Sequence, residues 1–299
     1  MDGWKVRNTN NYNFMKKTII AALALFLIGA QANAQQKKQS GAIQFQSTFD
    51  PAAMASANGI KLSEEMLARM PKSSATDFEL LFNATNASYT RVEETEDSNS
   101  GASGGQGMRF GGFGGSSHDL YFDFLDHKLT EVFDMNDTTF FLQAKLGQST
   151  TPVMRMGSDG TAPEAPVKTI TKSEETKKIL GFTCNKVVVK TVSKRRIQNE
   201  EREITDEISV WYTKELGFDF SPNPALWTEG AVLAIEGKGT NVQAKSIEYR
   251  NVNSKDLNLP KKGVVITPDQ YKAKMELRMK KARESRGGAG GIRSITIGQ

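Results

Sequence analysis

Of 299 residues only one is cysteine, two are histidine and three are tryptophan. A lone thiol cannot form an internal disulfide, and one cysteine with two histidines is too small a set for a closed cysteine- or histidine-built metal cage. Cys184 sits in the apolar run Ile179-Leu180-Gly181-Phe182-Thr183-Cys184, which reads as a small buried core residue. Neither His118 nor His127 stands beside it in sequence to serve as a base. Long apolar runs are also scarce. The longest, Thr18 to Ala30, falls short of the roughly 20 residues a membrane helix needs. No Walker or dinucleotide-binding fingerprint occurs. Gly101-Ala102-Ser103-Gly104-Gly105 has the spacing of a nucleophile elbow but lacks the strand before and the helix after that the elbow requires. The sequence therefore assigns no catalytic residue, no metal ligand and no cofactor.

What is present begins with a leader pattern. Met15-Lys16-Lys17 is a basic start, Thr18 to Ala30 a short apolar stretch, and Ala32-Asn33-Ala34 a small-residue cleavage site. Residues 1–34 are expected to be a signal peptide that starts at Met15 and is removed on export. The mature protein is then expected to be periplasmic or outer-membrane associated, with no membrane span left after cleavage. Removing residues 1–34 takes away four basic residues and one acidic one, which lowers the net charge from +5 to +2. That charge is uneven. Lys261 to Gln299 carries ten basic residues against three acidic ones, so an acidic body, 35–260, ends in a basic tail, 261–299. On an exported chain such a tail suits an anionic surface or an acidic envelope protein, and nucleic acid is not expected as a partner.

Alternation of apolar and polar residues dominates the body. Gly41 to Phe49 reads as a half-buried strand, and Leu62 to Met70 as a short helix with Leu62, Met66, Leu67 and Met70 on one stripe. Asp77 to Asn83 and Ala87 to Val92 form a hairpin, and Asp119 to Leu125, Lys128 to Asp134 and Thr138 to Lys145 a meander. Two low-complexity segments interrupt the pattern. Residues 93–117 contain a glycine-rich insertion with eight glycines between Ser98 and Ser117, and 147–166 is a polar loop. In the second half, Val167 to Thr171 is expected as a strand, Ser173 to Thr176 as a turn, and Lys178 to Val192 as a long strand with a bulge or sharp bend at Gly181. Lys194 to Asp206 is expected to turn the chain, Ile208 to Thr213 to follow as a strand, and Ala231 to Ile235 with Val242 to Val252 to make the last hairpin. Pro268 to Arg283 reads as a basic amphipathic helix with Tyr271, Met275, Met279 and Ala282 on its apolar stripe, ended by Gly287 to Gly291. The expected fold is mainly β (α+β): a curved antiparallel sheet or half-barrel of about 9–11 strands with one short helix and a C-terminal helix.

Two blocks in this half, Lys178-Ile179-Leu180-Gly181-Phe182-Thr183-Cys184-Asn185-Lys186 and Val210-Trp211-Tyr212-Thr213-Lys214-Glu215, resemble the GLPGLI family of exported Bacteroidetes proteins. The family pattern is I-x-G-Y-x-C-x-K followed by W-Y-T, so Ile179, Gly181, Phe182, Cys184, Lys186, Trp211, Tyr212 and Thr213 are the matching positions, with Phe182 in place of the tyrosine. Trp227-Thr228-Glu229-Gly230-Ala231-Val232-Leu233 stands where the eponymous motif is expected. The resemblance implies an exported protein with an architecture like that of lipoprotein carriers, and it brings no catalytic residue.

From the residues alone, Trp211, Phe218, Phe220 and Trp227 concentrate aromatic side chains around a loop broken by Pro222 and Pro224. Such a loop over a curved sheet can gate an apolar cavity, which makes these four the candidate contacts for a lipid or other apolar ligand. The leading expectation is a non-catalytic periplasmic carrier. The alternative is an envelope-interaction protein that docks an outer-membrane partner through its sheet edge or basic tail.

Overall fold

Strand-forming alternation and tight turns generate almost all of the architecture in the computed structural model, which describes residues 40–57, 62–69, 73–92, 118–135, 137–147, 166–197 and 200–287. The leader, the insertion at 93–117, nearly all of the loop at 147–166 and the glycines after Gly287 lie outside the described residues. The strands are β1 (Gly41–Phe49), β2 (Ser74–Phe82), β3 (Asn86–Arg91), β4 (Asp119–Asp123), β5 (Lys128–Met135), β6 (Thr138–Lys145), β7 (Val167–Ile179), β8 (Phe182–Ile197), β9 (Glu200–Thr213), β10 (Ala231–Gly237), β11 (Thr240–Glu248) and β12 (Val264–Ile266). Helices α1 (Pro51–Ala57) and α2 (Glu64–Arg69) lie between β1 and β2, and α3 (Pro268–Gly287) ends the described chain.

These twelve strands join one curved, unclosed sheet in the order β12-β6-β5-β4-β3-β2-β1-β11-β10-β9-β8-β7. β1 is the hub. β2 to β6 run outward from one of its edges as successive antiparallel neighbours, and β7 to β11 return to the other edge, where β11 pairs with β1. β12 against β6 is the parallel pair. The mainly β, curved and antiparallel-rich fold is as expected from the sequence, with β12 as a strand whose three residues are too short to announce it.

Several local expectations are corrected. Gly181 does not bend one long strand; Leu180 (φ 53°) and Gly181 (φ 87°) form a two-residue hairpin turn that separates β7 from β8. Positive φ at both central positions matches the right-handed twist of the flanking strands. Ser173 to Thr176 is no turn but lies within β7, where the register with β8 shifts between Lys172 and Thr176. The charged run from Lys194 does reverse the chain, as expected, but most of it is strand, with β8 and β9 antiparallel as far as Ile197 and Glu200. It pairs across β8 and β9 with opposite charges in register, Lys190 with Glu207 and Lys194 with Glu203, an arrangement that favours pairing. Helix α1 is an addition to the expected elements. Asp50 caps it, its Oδ1 accepting from Ala53 N at 2.9 Å. α2 forms where a helix is expected, but Met66 and Leu67 on its stripe are 55% and 45% exposed.

The basic tail is partly built into the sheet. Ile266 of β12 and Tyr271 of α3 are buried with Phe133, Phe140 and Leu142, and Met275 packs against them. Met279 and Ala282 have side chains outside the described residues. Beside this cluster Glu131 is buried between its cross-strand neighbours Leu120 and Leu142, and its Oε2 lies 3.0 Å from His118 Nδ1. The imidazole stacks on Phe133 at 4.4 Å.

Candidate ligand-binding face

Strand alternation places Ile43 and Phe45 of β1, Phe78, Leu80 and Phe82 of β2, Tyr89 of β3, and Leu120 and Phe122 of β4 on one face, in cross-strand register. Val187 of β8, Val210 of β9, Ile235 of β10 and Val242 of β11 continue it across the other half. These residues are buried in one apolar cluster, and this is the inner face of the sheet.

An irregular loop from Lys214 to Gly230 covers it. Phe220 is fully buried, with its ring centroid 5.7 Å from Phe45, 5.5 Å from Tyr89 and 5.2 Å from Phe122. Phe218 lies 5.0 Å from both Phe82 and Phe124. The loop thus reaches from the β9–β10 side of the hub to β2 and β4. Its backbone joins β10 at Phe220, where Phe220 N donates to Gly230 O at 3.0 Å and Val232 N donates to Phe220 O at 2.8 Å. Pro222 and Pro224 have no N–H, and side chains supply local bonds instead: Ser221 Oγ donates to Asn223 O at 2.8 Å, and Ala225 N donates to Asn223 Oδ1 at 3.1 Å.

The rim of the loop is held by surface charge. Glu229 accepts from Lys214 at 2.5 Å and from Lys172 at 3.1 Å, and those two hydrogen bonds hold its carboxyl below the ordinary range. Lys168 donates to Ala225 O, and Trp227 Nε1 donates to Glu229 O at 3.0 Å. Trp227 packs on Tyr212 at 5.5 Å with Lys172 over its ring. Gly230 has φ 69°, and a Cβ there would fall 2.7 Å from Thr213 O, so the turn into β10 requires glycine.

Tyr89, under this loop, does not stand out in the sequence because period-2 alternation counts tyrosine as apolar. Its ring stacks on Phe78 at 5.1 Å and meets Phe45 edge-on at 5.6 Å. The residue is 2% exposed, and its hydroxyl has no hydrogen-bond partner among the described residues. Burial raises its pKa far above the usual phenol value, so it stays a neutral donor. An unsatisfied buried hydroxyl costs about 1–3 kcal/mol, and a phenylalanine would fill the same space without that cost. Thr240 Oγ1 is another buried hydroxyl with no partner among the described residues. It is on the same face, in register with Phe49.

The structure packs Phe218, Phe220 and Trp227 against the inner face, whereas Trp211, buried in the same cluster, is turned the other way. Trp211 pairs with Ala234 and Lys186, one residue out of phase with Val210 and Tyr212, and so points to the outer face. There its Nε1 donates to Glu236 Oε2 at 2.9 Å, and Lys177 and Lys186 lie 4.2 and 5.5 Å from the ring centroid. Lys177 also pairs with Glu236, and Lys186 pairs with Glu175 at 3.0 Å. Burial pushes the Glu236 carboxyl up, but hydrogen bonds from Lys177 and Trp211, with the charges of Lys177 and Lys186, outweigh it and hold the group below its ordinary range.

The remaining matched positions serve the same corner. Ile179 and Phe182 close the hairpin whose turn holds Gly181. Cys184 is fully buried, and burial raises its thiol to about 11. Thr213 Oγ1 accepts from Glu215 N at 3.2 Å, and Glu215 Oε1 accepts from Thr183 N at 2.9 Å, which ties the root of the loop to the β7–β8 hairpin.

No family model and no curated protein matches the chain. Among solved structures it is similar to PNGF-II in space groups C2 and P21, each with a TM-score of 0.42 and 16% identity. The alignments cover 79% of this chain and 32% and 33% of those chains, so it spans about a third of the proteins it matches.

Proposed function

We propose that this chain is an exported binding or carrier protein that holds an apolar or amphiphilic ligand on the inner face of its half-barrel, without covalent chemistry. The observation that carries this reading is the cover of that face. A continuous apolar surface over strands β1 to β4 is roofed by an irregular loop, joined to β10 by the two Phe220 backbone bonds and rimmed by exposed ion pairs, which contribute little to stability. Beyond those bonds the cover is held by apolar packing, above all of the buried Phe220, and an apolar ligand can replace packing contacts, whereas it cannot replace the backbone ladder of a paired strand. The Lys16-Lys17 and Ala32-Asn33-Ala34 leader pattern supports export, and the resemblance to the GLPGLI family supports a periplasmic or outer-membrane setting.

The test is to export the full chain from a bacterial host, purify it without detergent and analyse an organic extract by mass spectrometry. A stoichiometric apolar or amphiphilic molecule is the expected result. Folded protein that yields an empty extract and takes up no added hydrocarbon overturns the reading.

One observation favours a second reading, an envelope protein that docks an outer-membrane partner by strand addition. β7 is one of the two edge strands of the sheet, and its Val167 and Ile170 are 66% and 44% exposed. Under this reading Ile170→Lys abolishes co-purification of the partner; capture unaffected by that change counts against it.

A further inference from the structure

The inner face carries two buried hydroxyls that packing alone does not explain, Thr240 and Tyr89, and the second lies against the covering loop. Tyr89 is enclosed by Phe45, Phe78 and Phe220, yet ends in a hydroxyl with no partner among the described residues. The three rings gain nothing from that oxygen, and the site forfeits the desolvation of a polar group by keeping it. A protonated phenol surrounded by hydrocarbon offers a hydrogen bond to an acceptor, and the acceptor has to be one that tolerates the same surroundings. A carboxylate or phosphate would bring an unpaired charge among phenylalanine rings, which is far costlier than bringing a neutral carbonyl.

Such a group would have to take the place of a ring that now packs on Tyr89. Phe45 and Phe78, which also touch Tyr89, belong to the sheet, whereas Phe220 belongs to the loop. Its side chain is an apolar body resting on Tyr89, Phe45 and Phe122, held from outside by the Glu229 pairs and the Lys168 bond to Ala225 O. An acyl chain laid along β1 to β4 would make the contacts that Phe220 makes, and its ester or amide carbonyl would add the bond that Phe220 cannot.

We infer that Tyr89 is the polar recognition point of a binding site for a neutral, ester- or amide-linked acyl chain, which takes the place of Phe220 beneath the Lys214–Gly230 loop. This rests on the carrier reading and narrows it from any apolar ligand to an acyl chain read through its carbonyl.

The experiment uses the full chain with two probes: diphenylhexatriene, a hydrocarbon with no acceptor, followed by its fluorescence, and monoolein, a neutral ester, measured by displacement of the first. Tyr89→Phe keeps the ring and removes only the hydroxyl. The expected result is that the variant binds diphenylhexatriene as the wild type does, keeps or gains thermal stability, and binds monoolein about tenfold more weakly, the loss of one buried hydrogen bond. Each probe is the control for the other. If monoolein binds the variant and the wild type equally, the hydroxyl has no part in recognition and the inference falls while the carrier reading stands. If both probes weaken together, Tyr89 acts only through packing and the inference again falls. If neither probe binds the folded wild type, the carrier reading falls and takes the inference with it.

Discussion

Tyr89 and Trp211 stand on opposite faces of one sheet, each a large aromatic body with a single polar atom, and their surroundings treat that atom in opposite ways. The Trp211 indole N–H has Glu236 as its acceptor and two lysines against its ring, of which Lys177 shares Glu236 and Lys186 pairs with Glu175. The Tyr89 hydroxyl, equally deep among side chains, has no partner among the described residues. A network whose members satisfy one another has no opening for a ligand and is explained by the stability and register it gives to β7 to β10. The contrast also sets Trp211 apart from Phe220, which lies on Tyr89 although the sequence presents the two in a single concentration of aromatics.

The largest expected effect comes from the ring that links the loop to the sheet. Phe220→Ala should destabilise the protein by about 3–5 kcal/mol in urea unfolding, as removal of a fully buried phenylalanine ordinarily does. A cost under about 1 kcal/mol would mean that the loop rests on the face without packing into it. Trp211→Phe sharpens the other side of the comparison. It keeps a ring for the lysines but removes the donor to Glu236, and should cost about 1–2 kcal/mol. Because the Glu236 carboxyl is held below its ordinary value, its share of stability is present above the ordinary glutamate range and is lost as pH falls through the depressed folded value. Unfolding measured across the acid range should therefore show a shallower loss in Trp211→Phe than in the wild type.

The expected fold is legible because alternation is clear from Ile43 to Gln46 and from Asp119 to Phe124, where a one-residue slip would put the apolar side chains on the wrong face. The Leu180-Gly181 turn reads as a bend because the apolar and β-prone residues on both sides form an unbroken run; what marks it as a hairpin is the pairing of Ile179 with Phe182, which is tertiary information. The same holds for the charged run at Lys194, whose partners are supplied by the next strand. That Phe218, Phe220 and Trp227 share one irregular aromatic loop is legible from composition around two prolines. Trp211 groups with them because adjacency in sequence hides the face reversal that a strand imposes on each successive residue.

Smaller effects test the corner that the matched motif builds. Gly181→Ala should cost about 1 kcal/mol, all of it from the positive φ, since an added Cβ meets nothing within 4 Å. A larger loss would show that the turn also bears on packing. Least of all should change at Cys184. With its thiol raised to about 11 and fully buried, it should stay unreactive toward an aromatic disulfide reagent at about pH 8 until the protein is unfolded. Rapid labelling of the folded chain would place it at an accessible site.

The most direct test of the central claim is amide hydrogen exchange across Lys214 to Val232, with and without saturating monoolein. The Phe220 amide is bonded to Gly230 O and the Val232 amide to Phe220 O, so their exchange reports whether Phe220 stays on Tyr89. The account predicts that monoolein speeds exchange at these amides, because the acyl chain takes the ring's place. Binding that leaves them equally or better protected would contradict it and place the ligand elsewhere on the protein.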